Sequence, residues 1–233
     1  MRSQETRRRP QGRHAGVTRA ALLDAATELV DRDGLAALSM RRLGAAVGVE
    51  AMTVQHHVGT KDQLLDGLVE RLLDGVLPDL PDAGGWQGTL RAVAHGFRAQ
   101  LLAHPRLVPV VATRPGITPA TLRSMERALE AMQPSELGPA RALEMVYAVI
   151  GLVLGQVGME VAAGDDTTAD RVGRLDPEDL DGLPLLQQAV GEAPGRERWS
   201  VFEVSLEALI RGLATTSSSP AAKPQPAGQP PGR

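Results

Sequence analysis

Four polar side chains lie within five residues of one another in this sequence: Thr53, Gln55, His56 and His57. Val54 and Val58 are four residues apart, which places both on one face of a helix. If the valines are buried, the polar side chains and Met52 occupy exposed faces. Glutamine can pair bidentately with adenine, threonine can contact a thymine methyl or a phosphate, and histidine can donate to either. The pattern therefore predicts a surface that reads double-stranded DNA.

Two other interpretations of the polar cluster stay open. His56 and His57 could bind a metal ion, but neighbouring positions on a helix point about 100° apart and no third ligand is near in the sequence. We therefore expect no metal site and no cofactor. The cluster could also be a solvated helix face, and we have no physical account of what His56 does.

The elements around the cluster predict a helix-turn-helix. Thr18 is expected to cap a first helix that ends near Gly34, and Ser39 to cap a short second helix closed by Gly48. A third helix over about Ala51 to His57 would then be the one that enters the major groove. The short helices and the turn between them are the arrangement of a DNA-reading module.

The residues that flank the third helix suit contacts with the DNA backbone. Ser39, at a helix N-terminus, has a hydroxyl and free amides for a phosphate. Arg41 points away from Leu43, and Lys61 begins the fourth helix, which Thr60 opens with a capping box. We predict that these groups position the protein on the duplex.

Charge is divided unevenly along the 233 residues. Residues 1–63 carry ten Lys/Arg and seven Asp/Glu, whereas the rest carry fifteen and twenty-one. A mildly basic N-terminal part is typical of a module that binds a polyanion. Residues 1–17 are predicted to be a flexible basic arm, 18–64 the DNA-binding domain, 65–214 the larger helical domain and 215–233 a disordered tail rich in Pro, Ser and Gly.

Helical spacing of apolar residues continues through the larger half, and alternation of period two is missing, so we expect an all-α fold. A long fourth helix would join the two domains. The apolar run from Met145 to Ala163 contains Gln156 and Glu160, which indicates a buried packing helix and not a membrane span. The absence of cysteine and of an apolar leader predicts a cytoplasmic protein.

A pocket for an apolar effector is expected between the fifth and eighth helices. Methionines and small aliphatic side chains adapt well to such a ligand. The residues predicted to line it are Phe97, Leu101, Val108, Val111, Met125, Leu129, Met145, Tyr147 and Val153, with His95, Arg98 and His104 as polar anchors. Each of the apolar residues could equally be ordinary core.

Two helices are predicted to form a homodimer interface, one over about Leu137 to Ala163 and the last one near Phe202 to Leu213. Gly151, Gly155 and Gly158 fall close to one face of the first of these. Glycine costs about 1 kcal/mol in a helix interior relative to alanine, so its use there favours close approach of a partner.

The segment from about Thr18 to Leu73 resembles the N-terminal domain of the TetR family of bacterial transcriptional regulators. The features that carry the resemblance are Gly34-Leu35, Leu38-Ser39-Met40-Arg41-Arg42-Leu43, Gly48-Val49, His57-Val58, Thr60-Lys61-Asp62 and Leu64-Leu65. It implies a homodimer on a palindromic operator, with DNA contacts from Ser39, Arg41, Thr53, Gln55, His57 and Lys61. The family usually has an aromatic pair where this chain has Gln55 and His56, which makes Gln55 a better candidate for base reading.

The larger half resembles the family's tetracycline-repressor-like subgroup in its "ATRP" stretch, Ala112 to Pro115, and its later "LGQV". In the tetracycline repressor a histidine shortly before the matching stretch helps to hold a magnesium-bound drug, whereas Val110 stands there in this chain. We therefore expect no magnesium-dependent tetracycline binding, a prediction that calorimetry can check.

The function predicted from these features is that of a ligand-responsive transcriptional regulator, most plainly a repressor released by a small effector. A small helical enzyme or carrier that uses the apolar pocket is the alternative. The sequence contains no Gly-x-Ser-x-Gly, phosphate loop or His-Glu-x-x-His motif. These patterns are equally compatible with a repressor, an activator and a regulator that has no effector.

Overall fold

The computed structural model describes residues 17–76, 84–114, 117–133, 137–164, 180–192 and 201–217, and these residues form ten α-helices and no strand. The helices are α1 (Arg19–Asp33), α2 (Met40–Val47), α3 (Ala51–Val58), α4 (Lys61–Asp74), α5 (Gly85–Ala103), α6 (Val108–Thr113), α7 (Pro119–Met132), α8 (Gly138–Ala163), α9 (Pro184–Glu192) and α10 (Val201–Ser217). The all-α prediction is confirmed.

Side-chain caps set the starts of α1, α2 and α4. Thr18 Oγ1 accepts from the Ala21 amide, and Ser39 Oγ accepts from the Arg42 amide, each at 3.2 Å. Thr60 and Gln63 form the reciprocal capping box at the start of α4. Gly48 ends α2 in the left-handed region, with φ of 76°. These local hydrogen bonds explain why the helix starts predicted from the sequence are confirmed.

Helices α1 to α4 enclose a small core that holds α3 in place. Its members are completely buried or nearly so: Leu22, Ala26, Leu38, Leu43, Val54, Val58 and Leu64. Burial of Val54 and Val58 confirms the predicted inward face of α3. The remaining faces of that helix are left to the surface.

The larger half is built around α5 and α8, which pack along each other, with α7 against α5 and α4, and α10 against α8 and α5. Leu122 is 56% exposed although it has the apolar spacing of Met125 and Leu129, and α7 buries Thr121, Ser124, Ala128 and Met132. The buried face of α7 is thus not the face that its large apolar residues alone would predict, because two small polar side chains, Thr121 and Ser124, belong to it.

Helix α8 is long and apolar enough to cross a membrane by length and composition alone. Its buried residues form one stripe, namely Ala142, Met145, Val146, Val149, Val153 and Val157, which is packed into the protein. The prediction that this helix is buried is wrong for the rest of α8, because its other faces, including Tyr147 and Met159, are exposed in the single chain.

Polar contacts join the two halves at the end of α1. His104 Nδ1 lies 2.7 Å from Asp31 Oδ2, and Arg106 Nη1 donates to the Arg32 carbonyl oxygen at 2.7 Å. A second contact region lies between the end of α6 and α4. The position of the DNA-reading module is therefore coupled to that of the larger half.

Several expectations fall outside the described residues. Residues 1–16 of the predicted arm and residues 218–233 of the predicted tail are among them. Helix α10 runs to Ser217, so it includes the first three residues of the tail expected from residue 215. The domain boundaries remain predictions.

Candidate nucleic-acid interface and ligand cavity

Helix α3 presents its polar residues on the surface of the protein. Gln55, His56 and His57 are exposed, Thr53 is half-buried, and Met52 is 75% exposed. The rings of the two histidines meet edge to face, with centroids 5.4 Å apart. Because Val54 and Val58 fix the rotation of the helix, these side chains form one continuous face that can meet the edges of base pairs.

Arg41 of α2 and Lys61 of α4 provide cations on the helices that precede and follow α3. Both are exposed, and within the part of the chain that the structure describes neither has an ion-pair partner. Arg42 differs from its neighbour because its Nη2 lies 2.7 Å from Asp33 Oδ2. Hydrogen bonds from Arg32 also hold the pKa of Asp33 below its ordinary value. Arg41 and Lys61 thus have charge available for phosphates, whereas Arg42 is held within the module.

Ser39 is exposed at the N-terminus of α2, and its hydroxyl accepts the Arg42 amide. A hydroxyl oxygen that accepts one bond still has a proton to donate. Ser39 can therefore keep its capping role and donate to a phosphate. The eight predicted DNA-contact residues lie in α2, its N-cap, α3 and the start of α4, and their individual contacts stay predictions.

An apolar cavity of about 300 Å³ lies between α4, α5, α6, α7 and α8. Four of the predicted residues line it: Phe97, Val111, Met125 and Tyr147. Val69 and Leu73 of α4, together with Val76 just after its end, contribute one wall. Since α4 also begins directly after α3, one helix contacts both the cavity and the reading surface.

The other residues predicted for the pocket do not line this cavity. Leu101, Met145 and Val153 are completely buried, Val108 is 6% exposed, and Leu129 is half-buried. They belong to the packed core. The sequence prediction included them because helical spacing identifies every inward-facing position, including those where a neighbouring side chain fills the space. These five side chains therefore lie where the second interpretation, that they are ordinary core residues, places them.

The three predicted polar anchors also lie elsewhere, each held by a carboxylate. His95 Nε2 is 3.7 Å from Glu203 Oε2, and its ring contacts Phe202. Arg98 Nη2 is 2.8 Å from Glu160 Oε2, and His104 bonds to Asp31. These pairs connect helices and do not point into the apolar cavity.

His104 instead borders a larger cleft of about 480 Å³ between α1, α4 and α5, which also includes Asp24, Glu28, Arg71 and Asp74. This cleft is rich in charged groups, and Arg71 Nε lies 2.7 Å from Asp24 Oδ1 across it. Burying an apolar ligand against those charges would cost their hydration. The smaller cavity is therefore the better candidate for an apolar effector.

Three polar residues that line the apolar cavity were missing from the sequence prediction: Arg114, Thr121 and Ser124. Thr121 and Ser124 are three residues apart and continue the spacing of Ala128 and Met132, a signal that a search restricted to apolar residues overlooks. Arg114 lies in the quoted "ATRP" stretch. Hydrogen bonds to Asp66, and secondarily to Asp62, raise its pKa above the ordinary value.

Comparison with known families agrees with this arrangement. The family described as bacterial regulatory proteins, tetR family, matches residues 22–68. The family described as tetracyclin repressor-like, C-terminal domain, matches residues 77–217. The chain belongs to the TetR family.

Several TetR-family proteins are similar to this chain. The HTH-type transcriptional repressor DrrR1 of Streptomyces coeruleorubidus is 32% identical over 154 residues, which are 65% of this chain and only 57% of DrrR1. The tetracycline repressor protein class D of Escherichia coli is 33% identical over 202 residues, 85% of this chain and 90% of the relative. The crystal structure of Streptomyces coelicolor ActR in complex with actinorhodin superposes with a TM-score of 0.73 at 26% identity, covering 88% of this chain and all of ActR.

Proposed function

We propose that this TetR-family protein is a cytoplasmic transcriptional repressor that binds a palindromic operator as a homodimer and is released by a small apolar effector. The observation that carries the proposal is the position of α4. This helix follows the reading helix α3 through Gly59 and Thr60, and it also forms a wall of the apolar cavity. A ligand that alters this wall acts on the same rigid element that positions α3.

Release is a shift between two populations of the dimer. An effector that fits better when α4 is displaced favours the dimer whose two α3 helices no longer match successive major grooves. The similarity to DrrR1, named a repressor, and to ActR, solved with actinorhodin bound, supports a ligand-responsive repressor. Val110 is buried on α6 and has no metal-binding atom, so the effector we expect is not a magnesium-chelated tetracycline.

A mobility-shift assay with the promoter DNA next to the protein's own gene tests the proposal. Specific binding that weakens as salt rises is expected, because the contacts with phosphates release counterions. Binding to no tested DNA at any salt concentration would favour the alternative, a helical enzyme or carrier that uses the cavity. We propose that the protein is not an enzyme.

Gln55→Ala and Lys61→Ala should weaken operator binding in different ways. Loss of Gln55 is expected to cost about 1 to 3 kcal/mol and to relax the preference at one base pair. Loss of Lys61 should weaken binding to all sequences alike and reduce the salt dependence by about one phosphate contact. Titration of wild-type and variant proteins on operators changed at single positions measures both effects. Equal loss on every sequence for Gln55→Ala would show that it does not read a base.

The homodimer is proposed from the exposed faces of α8 and α10. Gly151, Gly155 and Met159 lie on the outer face of α8, and Val204 and Ala208 on that of α10. In the single chain, a methyl group added at Gly151 or Gly155 would have no atom within 4 Å. Together these residues make a shallow apolar surface that two copies of α8 and α10 can share.

Gly151→Ala provides a test of the dimer because its sign depends on a partner. With no partner, alanine should stabilise α8 by up to about 1 kcal/mol, since it is the better helix former. With a partner helix packed closely at this position, the added methyl group should weaken dimerisation and lower the melting temperature. Sedimentation equilibrium together with thermal unfolding measures both, and a stabilised variant with unchanged association would remove Gly151 from the interface.

A further inference from the structure

Arg114 is the one charged residue among the described residues that line the apolar cavity. It directly follows α6, and its side chain is 21% exposed. The other lining residues are apolar except for Thr121, Ser124 and Tyr147. A cavity with one cation and no carboxylate in its described wall is matched by a ligand that is largely apolar and carries one negative charge.

The same guanidinium holds the first turns of α4. Arg114 Nη1 lies 2.5 Å from Asp66 Oδ1 and donates to the Asp62 carbonyl oxygen at 3.2 Å. Arg114 Nη2 lies 2.7 Å from Asp62 Oδ1. Asp62 is the neighbour of Lys61 and is separated from α3 by Gly59, Thr60 and Lys61 alone. Arg114 therefore connects the cavity to the part of α4 nearest the reading helix.

The contacts of Arg114 with α4 leave part of its hydrogen-bonding capacity unused. They use Nη1 and one hydrogen of Nη2, while Nε makes no hydrogen bond to any part of the chain that the structure describes. Nε–H lies beside an N–H of a terminal nitrogen, and this edge of a planar guanidinium can donate two parallel hydrogen bonds to a carboxylate. An anionic oxygen in the cavity can occupy this edge.

We propose that the effector is an apolar molecule with an anionic oxygen group, and that its binding to Arg114 loosens the hold of Arg114 on Asp62 and Asp66. This proposal rests on the proposed function, because it assigns the effector of the repressor to a chemical class. Two carboxylates already balance one guanidinium. A third anion shares that charge and repels the other two, so each of the contacts with α4 weakens.

Linkage makes this competition measurable from either side. If an anion in the cavity weakens the contacts between Arg114 and α4, then removing the negative charges of α4 must strengthen anion binding. The Asp62→Asn, Asp66→Asn double variant tests this expectation, and Arg114→Gln tests whether Arg114 itself binds the anion.

Two fluorescent probes of the same aromatic framework test the ligand class. One is 1-anilinonaphthalene-8-sulfonate, which carries an anionic sulfonate, and the other is the neutral N-phenyl-1-naphthylamine. Titrated without DNA, the sulfonate should bind the wild-type protein at least about tenfold more tightly than the neutral probe, because a charge-assisted contact is gained. Arg114→Gln should weaken the sulfonate about tenfold and leave the neutral probe unchanged.

Arg123→Gln is the matched control, since Arg123 is an exposed arginine on neighbouring α7 that does not line the cavity. It should bind both probes as the wild-type protein does. The Asp62→Asn, Asp66→Asn variant should bind the sulfonate more tightly and the neutral probe unchanged. Unchanged neutral-probe binding also shows that the cavity of each variant is intact.

The proposal is overturned if the wild-type protein binds both probes equally, or if Arg114→Gln weakens both alike. It is also overturned if the double aspartate variant binds the sulfonate no more tightly than the wild-type protein. If Arg114→Gln fails to fold, the binding of the two probes to the wild-type protein and to the Asp62→Asn, Asp66→Asn variant still tests the proposal. None of these measurements uses DNA, so they are independent of whether the protein binds an operator.

Discussion

Gly44→Ala is expected to abolish specific operator binding and to lower the thermal stability of the DNA-reading module. Gly44 is buried in α2, and a β-carbon at this position would lie 2.6 Å from the carbonyl oxygen of Val49. That oxygen belongs to the backbone of the turn between α2 and α3, so it cannot move without changing the angle between the helices. Overpacking of this kind costs about 1 to 3 kcal/mol. Thermal unfolding followed by circular dichroism and a mobility-shift assay measure the two effects.

The matched control is Gly48→Asn, in the same turn. Gly48 has φ of 76°, and a β-carbon there would meet no atom within 4 Å. Because asparagine tolerates the left-handed region better than other residues with a side chain, its cost should be small and operator binding should persist. A Gly44→Ala protein that melts and binds like the wild type would show that the turn opens without consequence for α3.

Leu101→Ala should destabilise the larger half by about 2 to 5 kcal/mol. The Leu101 side chain is completely buried in the core formed by α5 and its neighbours and does not line the cavity. Truncation therefore leaves a new void in packed surroundings, and both dispersion contacts and burial are lost. Urea unfolding at constant ligand concentration measures the change.

Two further variants make the Leu101→Ala result specific. Leu102→Ala, at the next position of α5, removes the same atoms from a side chain that is 37% exposed, so it should cost much less. Met125→Ala enlarges a cavity that already exists, so its main effect should be on the binding of apolar probes. If Leu101→Ala altered probe binding and left stability unchanged, Leu101 would belong to the ligand site after all.

The DNA-reading module could be predicted closely because its structure is determined by local chemistry. Thr18, Ser39 and Thr60 each cap a helix through hydrogen bonds that span only three residues. Gly48 closes α2 at the predicted position, and four-residue spacing orients α3. Contacts of short range are visible in a sequence, since both partners lie within one or two turns of each other.

The ligand cavity could be predicted only in part because it depends on contacts between distant elements. Helical spacing indicates that Leu101 and Met125 both face inward, but it does not indicate that a neighbour fills the space beside one of them and not the other. His104 was predicted as an anchor for the effector, yet its partner Asp31 lies 73 residues earlier. Such pairings follow from how the helices are arranged in space.

Tyr147 is the single tyrosine of the chain, and its side chain lines the ligand cavity. Biosynthetic incorporation of fluorotyrosine would therefore label this cavity and no other part of the molecule, with no mutation. The fluorine spectrum of such a protein should contain one signal, and its position should change when a ligand occupies the cavity. Mixtures of small molecules can then be screened for the natural inducer even when the operator has not been found.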